Sequence, residues 1–335
     1  MFAFVKRTLT GMSRLVAGLV LAGLLAGGCS SDANESSPTA TEATTTTTLP
    51  ATTELPGTAL TGDGAFMGPL ATVPVGDLDI AFRQFGTGPD LLLIAGQASA
   101  MNTWPIPTLA DLAADQRVTI YDSRDLGSTS DVTTPFTLED LADDADGLIT
   151  ALGLDHPAVF GWSTGGEVGL LLAVRHPDAL SSLLITGATP GGPESIQPPP
   201  EIVELFADPN PDTAVLLDVL FPPEDQEGLN TFLTSYGSFP SEPNAEAATA
   251  HYDAAEKAYW AAPEPDLDSI SVRVLVMNGS EDYAVPPANA TYIADLVGDG
   301  ARLEIDDGGR HAWFVTHPDH FHELVTDFLL AEAEL

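Results

Sequence analysis

The chain has 335 residues, of which 44% are hydrophobic, so it contains ample material for a buried core. Its 49 Asp and Glu residues outnumber its 11 Lys and Arg residues, which gives a formal net charge of −38. A surface of this charge repels phosphate backbones and argues against nucleic acid as a partner. The single cysteine, Cys29, excludes an intramolecular disulfide.

The first segment has the composition of a signal peptide. Three basic residues, Lys6, Arg7 and Arg14, precede an apolar run over residues 15–25. This run is shorter than the roughly 20 residues that a membrane-spanning helix needs. Small residues follow directly, as they do before a cleavage site. We therefore predict that residues 1–28 are removed.

The sequence around Cys29 indicates what the lone thiol does. It ends the run Leu-Ala-Gly-Gly-Cys, which resembles a bacterial lipobox. The resemblance implies that Cys29 is lipidated and becomes the new N-terminus. The protein would then be an extracytoplasmic lipoprotein whose anchor binds it to the cell membrane. Two alternatives are an ordinary signal peptide with an incidental cysteine and an uncleaved anchor.

Residues 29–69 are predicted to form a disordered tether. The segment is rich in Ser, Thr, Ala and Glu, includes an unbroken threonine run from Thr44 to Thr48, and has few large apolar residues. Such a composition cannot bury a core. A flexible coil of about 35 residues spans roughly 30–35 Å on average, which would lift a domain clear of a membrane surface.

The remaining residues, 70–335, alternate between strand-like and helix-like segments. Residues 72–75 and 78–85 predict a hairpin that turns at Gly76 and Asp77. Continuous apolar runs predict buried strands at residues 91–95 and 118–121, and four further segments complete the predicted strands, at residues 158–162, 183–186, 272–277 and 301–305. Helical spacing predicts helices at residues 137–152, 166–176, 288–297 and 320–334, the first of which opens with a capping-box pattern at Thr137 and Asp140.

This alternation predicts an α/β fold whose central sheet is mostly parallel and is covered by helices on both faces. One segment, at about residues 190–268, interrupts the alternation between two strands. It is rich in Pro and acidic residues and contains several helical pieces. We expect it to form an inserted helical cap over the carboxyl edge of the sheet, where ligands of α/β proteins bind.

A possible nucleophile lies between the predicted strand at 158–162 and the helix that follows it. The sequence there is Gly161-Trp162-Ser163-Thr164-Gly165. A sharp turn from strand to helix would raise the Ser163 hydroxyl above the sheet, and the flanking glycines would avoid Cβ clashes. The amides at the start of the helix would face a developing oxyanion. The alternative is a glycine-rich turn with an idle serine.

A nucleophilic serine needs a base, and the base needs an acid that orients it. Asp282 follows the strand at 272–277, and His311 follows the next strand in the loop Gly308-Gly309-Arg310-His311. The order Ser, Asp, His along the chain is one of the known orders of such triads. Among the seven histidines only His311 lies in a glycine-rich loop after a strand. The neighbouring acid, Glu281, is the rival for the orienting role.

Residues 70–333 resemble the α/β-hydrolase superfamily. Four motifs carry the resemblance: the segments at 91–97 and 121–128, the serine turn, and the Asp and His loops. It implies a catalytic triad of Ser163, Asp282 and His311. It also implies an oxyanion hole formed by the backbone amides of Gln97 and Thr164. Ala95 departs from the His-Gly pattern that is usual before the first of these amides.

The resemblance also implies a reaction class. Ser163 excludes the dehalogenases and epoxide hydrolases that carry Asp at this position. The leading interpretation is hydrolysis of a small carboxylic ester, lactone or thioester through an acyl-enzyme. Hydrolysis of a carbon–carbon bond and perhydrolysis use the same triad and stay open, as does a non-catalytic protein that binds a ligand with this fold. No cofactor or metal motif is visible, so none is predicted.

Overall fold

The computed structural model describes residues 67–208, 210–235 and 241–331. They contain an eight-stranded sheet in the order β1-β2-β4-β3-β5-β6-β7-β8. The strands are β1 (Ala71–Val75), β2 (Leu78–Phe85), β3 (Asp90–Ile94), β4 (Arg117–Tyr121), β5 (Ala158–Trp162), β6 (Ser182–Thr186), β7 (Arg273–Gly279) and β8 (Ala301–Asp306). The first two form the predicted antiparallel hairpin, and β2 pairs antiparallel with β4. All other neighbours are parallel.

The helices confirm the predicted alternation and add elements to it. They are α1 (Ile106–Leu112), α2 (Leu138–Leu152), α3 (Thr164–Arg175), α4 (Pro200–Ala207), α5 (Thr213–Leu220), α6 (Gln226–Ser235), α7 (Ala248–Ala261), α8 (Ala288–Val297), α9 (Trp313–Thr316) and α10 (Pro318–Leu330). Helix α2 begins at the predicted capping box, in which the Thr137 hydroxyl accepts the Asp140 amide and the Asp140 carboxylate accepts the Thr137 amide. None of the helices in the described ranges has both the length and the apolar content to cross a membrane.

The sheet is buried on both faces because the middle residues of its central strands are mostly apolar. Leu92 and Ile94 of β3 belong to a core that includes residues of α2, α3 and α8, whereas Leu91 and Leu93 belong to a core shared with α1, α9 and α10. Side chains of a strand alternate between the two faces of its sheet, so an unbroken apolar run buries both. The predicted mostly parallel α/β fold is therefore confirmed.

Helices α4 to α7 occupy the long segment between β6 and β7 that the sequence marks as irregular. Buried residues of α7, including Tyr252 and Tyr259, join the core of the α2 and α3 face. Phe221 and Phe232, from the α5 and α6 region, join the core of the opposite face. The segment is thus packed against the sheet domain through apolar side chains.

Strand β3 lies between β4 and β5, so the chain order reverses at β3. In parallel sheets, ligands bind beside the carboxyl ends of the strands at such a switch point. The loop after β3 begins with Ala95, and the turn after β5 holds Ser163. The fold therefore brings these two loops together where a site is expected.

Candidate active site

Ser163 occupies a strained backbone position between β5 and α3. Its φ and ψ are 57° and −127°, an unusual combination for a residue with a side chain. Its amide donates to the Thr186 carbonyl at 2.9 Å, which ties the turn to the end of β6. Helix α3 begins at the next residue, two residues earlier than the sequence predicted, so the turn has no spare length.

The glycines beside the serine permit a close approach of backbone segments. A Cβ on Gly165 would lie 2.1 Å from the Ile94 carbonyl oxygen, and one on Gly161 would lie 2.3 Å from the carbonyl oxygen of Gly165. A larger residue at Gly165 would push the turn away from β3, and one at Gly161 would push β5 away from the start of α3. The glycine pattern is therefore a packing requirement of this turn, as the sequence predicted.

Asp282 and His311 form a buried pair at the carboxyl ends of β7 and β8. The His311 Nδ1 atom lies 2.8 Å from Asp282 Oδ2, and both side chains are at most 2% exposed. The second carboxylate oxygen of Asp282 accepts the Val285 amide at 2.8 Å, which fixes the orientation of the carboxylate. A proton held on Nδ1 leaves Nε2 as the acceptor, the form that a general base requires.

Two contacts place this pair beside the serine turn. The Trp162 indole nitrogen donates to the His311 carbonyl at 3.0 Å, and the two rings are 5.7 Å apart between centroids. Gly187 follows the Thr186 carbonyl that holds Ser163, and a Cβ on it would lie 2.9 Å from His311 Cε1 and 3.5 Å from Asp282 Oδ2. The three residues predicted as a triad therefore surround the end of β6.

The loop after β3 lies directly against the serine. A Cβ on Gly96 would be 3.2 Å from the Ser163 Cβ and 3.8 Å from its Oγ. Gln97 is the next residue, and its carbonyl accepts the Ser99 hydroxyl at 3.1 Å. The amides of Gln97 and Thr164 thus belong to residues on two segments that flank Ser163. Although Ala95 stands where the family usually has a histidine, the loop after β3 still lies against the serine turn through Gly96.

Trp162 is a residue whose role the sequence did not reveal. In the structure Trp162 is buried and holds the His311 loop, and Trp104 is completely buried in the core. The Trp260 indole donates to the Thr189 hydroxyl at 3.2 Å. Adjacency to the serine was the available signal for Trp162.

Two further side-chain contacts connect the surrounding loops. His251 of α7 lies 2.7 Å from the fully buried Asp125, in the loop after β4. Arg310, the neighbour of His311, contacts the Asp218 side chain at the end of α5 at 3.0 Å. Both pairs join the segment between β6 and β7 to the sheet domain. They are structural contacts and support the exclusion of His251 as the base.

Two acidic residues near the site were missed by sequence reasoning. Glu256 of α7 accepts the Thr164 hydroxyl, and Glu167 of α3 accepts the Thr189 hydroxyl at 2.5 Å. Both carboxyl groups are buried.

In the described ranges no three His, Cys, Asp or Glu side chains are grouped as metal ligands would be. The predicted lipidation residue, Cys29, lies outside the described residues.

Comparisons with known proteins agree with this geometry. The family model described as alpha/beta hydrolase fold matches residues 89–318. A protein of Caulobacter sp. (strain K31) named "Putative carbamate hydrolase RutD" is 29% identical over 286 residues, which cover 77% of this chain and 98% of the relative. A Pimeloyl-(acyl-carrier protein) methyl ester esterase of Neisseria meningitidis serogroup B (serotype 15, strain H44/76) is 32% identical over 205 residues, which cover 57% and 75%. An alpha/beta hydrolase fold protein from Chitinophaga pinensis has the same fold, with a TM-score of 0.68 at 24% identity over 78% of this chain and 97% of that one.

Proposed function

The chain belongs to the α/β-hydrolase family of enzymes, and on that premise we propose that it is a serine hydrolase that cleaves a small carboxylic ester, lactone or thioester. One observation carries the proposal. Ser163 is held in a strained turn beside a buried Asp282–His311 hydrogen bond of 2.8 Å. A strained serine next to an oriented imidazole is the arrangement that nucleophilic catalysis requires.

The first half of the reaction forms an acyl-enzyme. Nε2 of His311 takes the Ser163 hydroxyl proton as the oxygen attacks the substrate carbonyl carbon. The amides of Gln97 and Thr164 donate to the resulting oxyanion. The intermediate collapses with cleavage of the bond to the leaving group, and His311 returns the proton to that group.

The second half removes the acyl group. Water enters, His311 takes one of its protons, and the hydroxide attacks the acyl carbon. Collapse breaks the bond to the Ser163 oxygen, which recovers the proton from His311. Asp282 stabilises the imidazolium that forms in each half.

Two relatives support an acyl substrate. The Caulobacter relative is named as a hydrolase of carbamate and the Neisseria relative as a methyl ester esterase. Both names describe cleavage beside a carbonyl carbon that carries a heteroatom. We assign substrate selection to a cap at about residues 190–268, because α7 of this segment reaches Thr164 beside the nucleophile.

A series of p-nitrophenyl esters of increasing acyl length tests the proposal. Wild-type protein should release nitrophenolate, and Ser163→Ala should reduce kcat at least a thousandfold while its circular dichroism is unchanged. Equal turnover by both proteins would refute the role of Ser163. If the wild type binds these esters without cleaving them, and also fails to cleave carbon–carbon substrates or form peracids, the chain is a binding protein.

Localisation is a separate proposal. We infer from the lipobox-like sequence that the protein is a lipoprotein anchored to the cell membrane at Cys29. Wild-type protein should partition into detergent, and Cys29→Ser should leave the protein soluble or uncleaved. A mature N-terminus at another residue, identified by mass spectrometry, would contradict the anchor.

A further inference from the structure

Two buried carboxyl groups, which do not belong to the proposed triad, lie next to the serine turn. Glu167 belongs to the first turn of α3 and is 2% exposed. Glu256 belongs to α7, on the segment between β6 and β7, and is 9% exposed. Buried carboxyl groups are costly unless they are hydrogen bonded or protonated, so this pair needs an explanation.

Glu256 is attached to the residue that follows the nucleophile. Its Oε1 atom accepts the hydroxyl of Thr164, whose side chain is buried. The backbone amide of the same threonine is the one we assign to the oxyanion hole. The contact joins α7 to the first residue of α3, so a displacement of Glu256 would be transmitted to the oxyanion hole.

Glu167 is held by Thr189, which lies in the loop after β6. Its Oε1 atom accepts the hydroxyl of Thr189 at 2.5 Å and the amide of the same residue at 3.4 Å. The Trp260 indole donates to the same Thr189 hydroxyl at 3.2 Å. The second oxygen, Oε2, is buried and has no hydrogen-bond partner among the described residues. An unpaired buried carboxylate oxygen is unfavourable when it is charged, which favours a proton on the pair.

The charges around the pair favour the same state. Burial raises the pKa of Glu167 to about 7, and burial together with the charge of Glu167 raises the pKa of Glu256 to about 8. Asp253 on α7 acts in the same direction, while the Thr164 hydrogen bond and the His311 ring oppose it. Burial and the charge of Glu167 also raise the pKa of Tyr259. The two carboxyl groups therefore titrate as a coupled pair that keeps a proton near neutral pH.

We propose that Glu256 is a positioning residue for the oxyanion hole and that loss of the last proton from the Glu167–Glu256 pair sets the alkaline limit of activity. This inference rests on the proposed function. While the pair keeps one proton, Glu256 holds Thr164 in place without repelling Glu167. When both carboxyl groups are charged, Glu167 of α3 and Glu256 of α7 repel each other. This repulsion acts on Thr164, whose amide we assign to the oxyanion hole.

The added charge also opposes the reaction directly. The tetrahedral intermediate carries a negative charge beside the Thr164 amide, and an ionised Glu256 contacts that residue. The same charge attracts the His311 ring, but the Glu256 carboxylate is hydrogen bonded to the threonine and not to the histidine. We therefore expect kcat to fall on the order of tenfold as the pair ionises.

The pH dependence of kcat between pH 6 and 10 tests the inference. Wild-type activity should decline on the alkaline side, and Glu256→Gln should remove that decline while it keeps neutral-pH activity within about tenfold. Glu167→Gln is the second variant: without the charge of Glu167 there is no repulsion within the pair and the pKa of Glu256 is lower, so any remaining decline should be smaller and should lie at lower pH. Asp253→Asn is the matched control: it neutralises a carboxylate of α7 that pairs with Lys257, so the decline should persist and should move only slightly to lower pH, because Asp253 contributes to the raised pKa of Glu256.

Thermal unfolding supplies a readout that needs no substrate. Since burial raises the pKa of Glu256 above its ordinary 4.5, folding is favoured while the group is protonated, and this contribution is lost as the pH rises through the raised pKa. The Tm advantage of Glu256→Gln over wild type should therefore be larger at pH 9 than at pH 5.

Three results would separate the claims. An alkaline decline that is the same in wild type and Glu256→Gln would overturn the inference and leave the proposed function intact. A wild type with no decline up to pH 10 would also overturn it. A wild type that reacts with no ester at any pH, while the Tm difference follows the expected trend, would contradict the proposed function and not the coupled pair.

Discussion

Replacing Gly187 with alanine introduces a methyl group beside the proposed catalytic histidine. Gly187 follows β6 with φ of +63°, and its Cβ position lies 2.9 Å from His311 Cε1 and 3.0 Å from Nδ1. Carbon atoms in proteins approach to about 3.5–4.0 Å, so the ring would move by roughly 0.6–1 Å. The same methyl group would lie 3.5 Å from Asp282 Oδ2, so the backbone at residue 187 cannot relieve the clash by shifting towards the carboxylate.

The magnitude follows from this displacement. A misplacement of about 1 Å in a catalytic arrangement lowers the rate about 10²-fold, which corresponds to about 2.7 kcal/mol. We therefore expect kcat of Gly187→Ala to fall about 10- to 100-fold. Alanine in a left-handed conformation also costs about 1–2 kcal/mol of folding stability, independently of the contact with the ring.

Gly153 provides the matched control. It ends α2 with the same φ of +63°, but a Cβ there would meet no atom within 4 Å. Gly153→Ala should therefore have a similar loss of Tm, about 2–4 °C for each kcal/mol, with kcat unchanged. Ester hydrolysis and thermal unfolding of both variants measure the two effects. If Gly187→Ala kept the kcat of Gly153→Ala, the His311 ring would not occupy the place we assign to it.

The remaining predictions concern the acid and the indole that hold the histidine. Asp282→Asn should lower kcat by on the order of 10⁴, because the amide holds the wrong imidazole tautomer and cannot stabilise the imidazolium. Glu281 is exposed, so Glu281→Gln should lower kcat less than about tenfold. Reversed effects of the two variants in steady-state kinetics would reassign the acid. Trp162→Phe removes the donor to the histidine loop and should lower kcat about tenfold, while Trp104→Phe should not, since the Trp104 indole nitrogen has no hydrogen-bond partner in the described ranges. Equal losses in the two tryptophan variants would show that volume, and not the hydrogen bond, matters.

The strands and the serine turn could be predicted because local sequence determines them. The run at 158–162 is apolar throughout, and it corresponds to β5 residue for residue. The glycines that follow it are required by backbone contacts of a few ångströms. The Asp282–His311 contact could be predicted because parallel strands place their carboxyl ends along one edge.

Helix boundaries near proline were harder to predict. Helix α1 was not predicted. Pro105 is its N-cap residue and Pro107 lies in its first turn, and both places tolerate proline, which breaks helices elsewhere. Helix α10 begins at Pro318, two residues before the predicted start, for the same reason. Its predicted end at residue 334 lies outside the described residues.

The Glu167–Glu256 pair could not be predicted from the sequence. Thr164 and Glu256 are 92 residues apart, and α7 reaches the serine turn only through the packing of the whole segment between β6 and β7. Glutamate at the first turn of a helix and in an acidic segment is ordinary at the level of composition. Only the burial of both carboxyl groups in the structure distinguishes them from surface residues.

Trapping the acyl-enzyme tests the central claim most directly. Wild-type protein is mixed with a p-nitrophenyl ester, quenched in acid within the first turnover and measured by intact mass spectrometry, followed by peptide mapping. We predict a burst of nitrophenolate and one added acyl group on Ser163. Neither the burst nor the adduct should be found with Ser163→Ala. Turnover without an adduct, or an adduct on another residue, would contradict the assignment of Ser163 as the nucleophile.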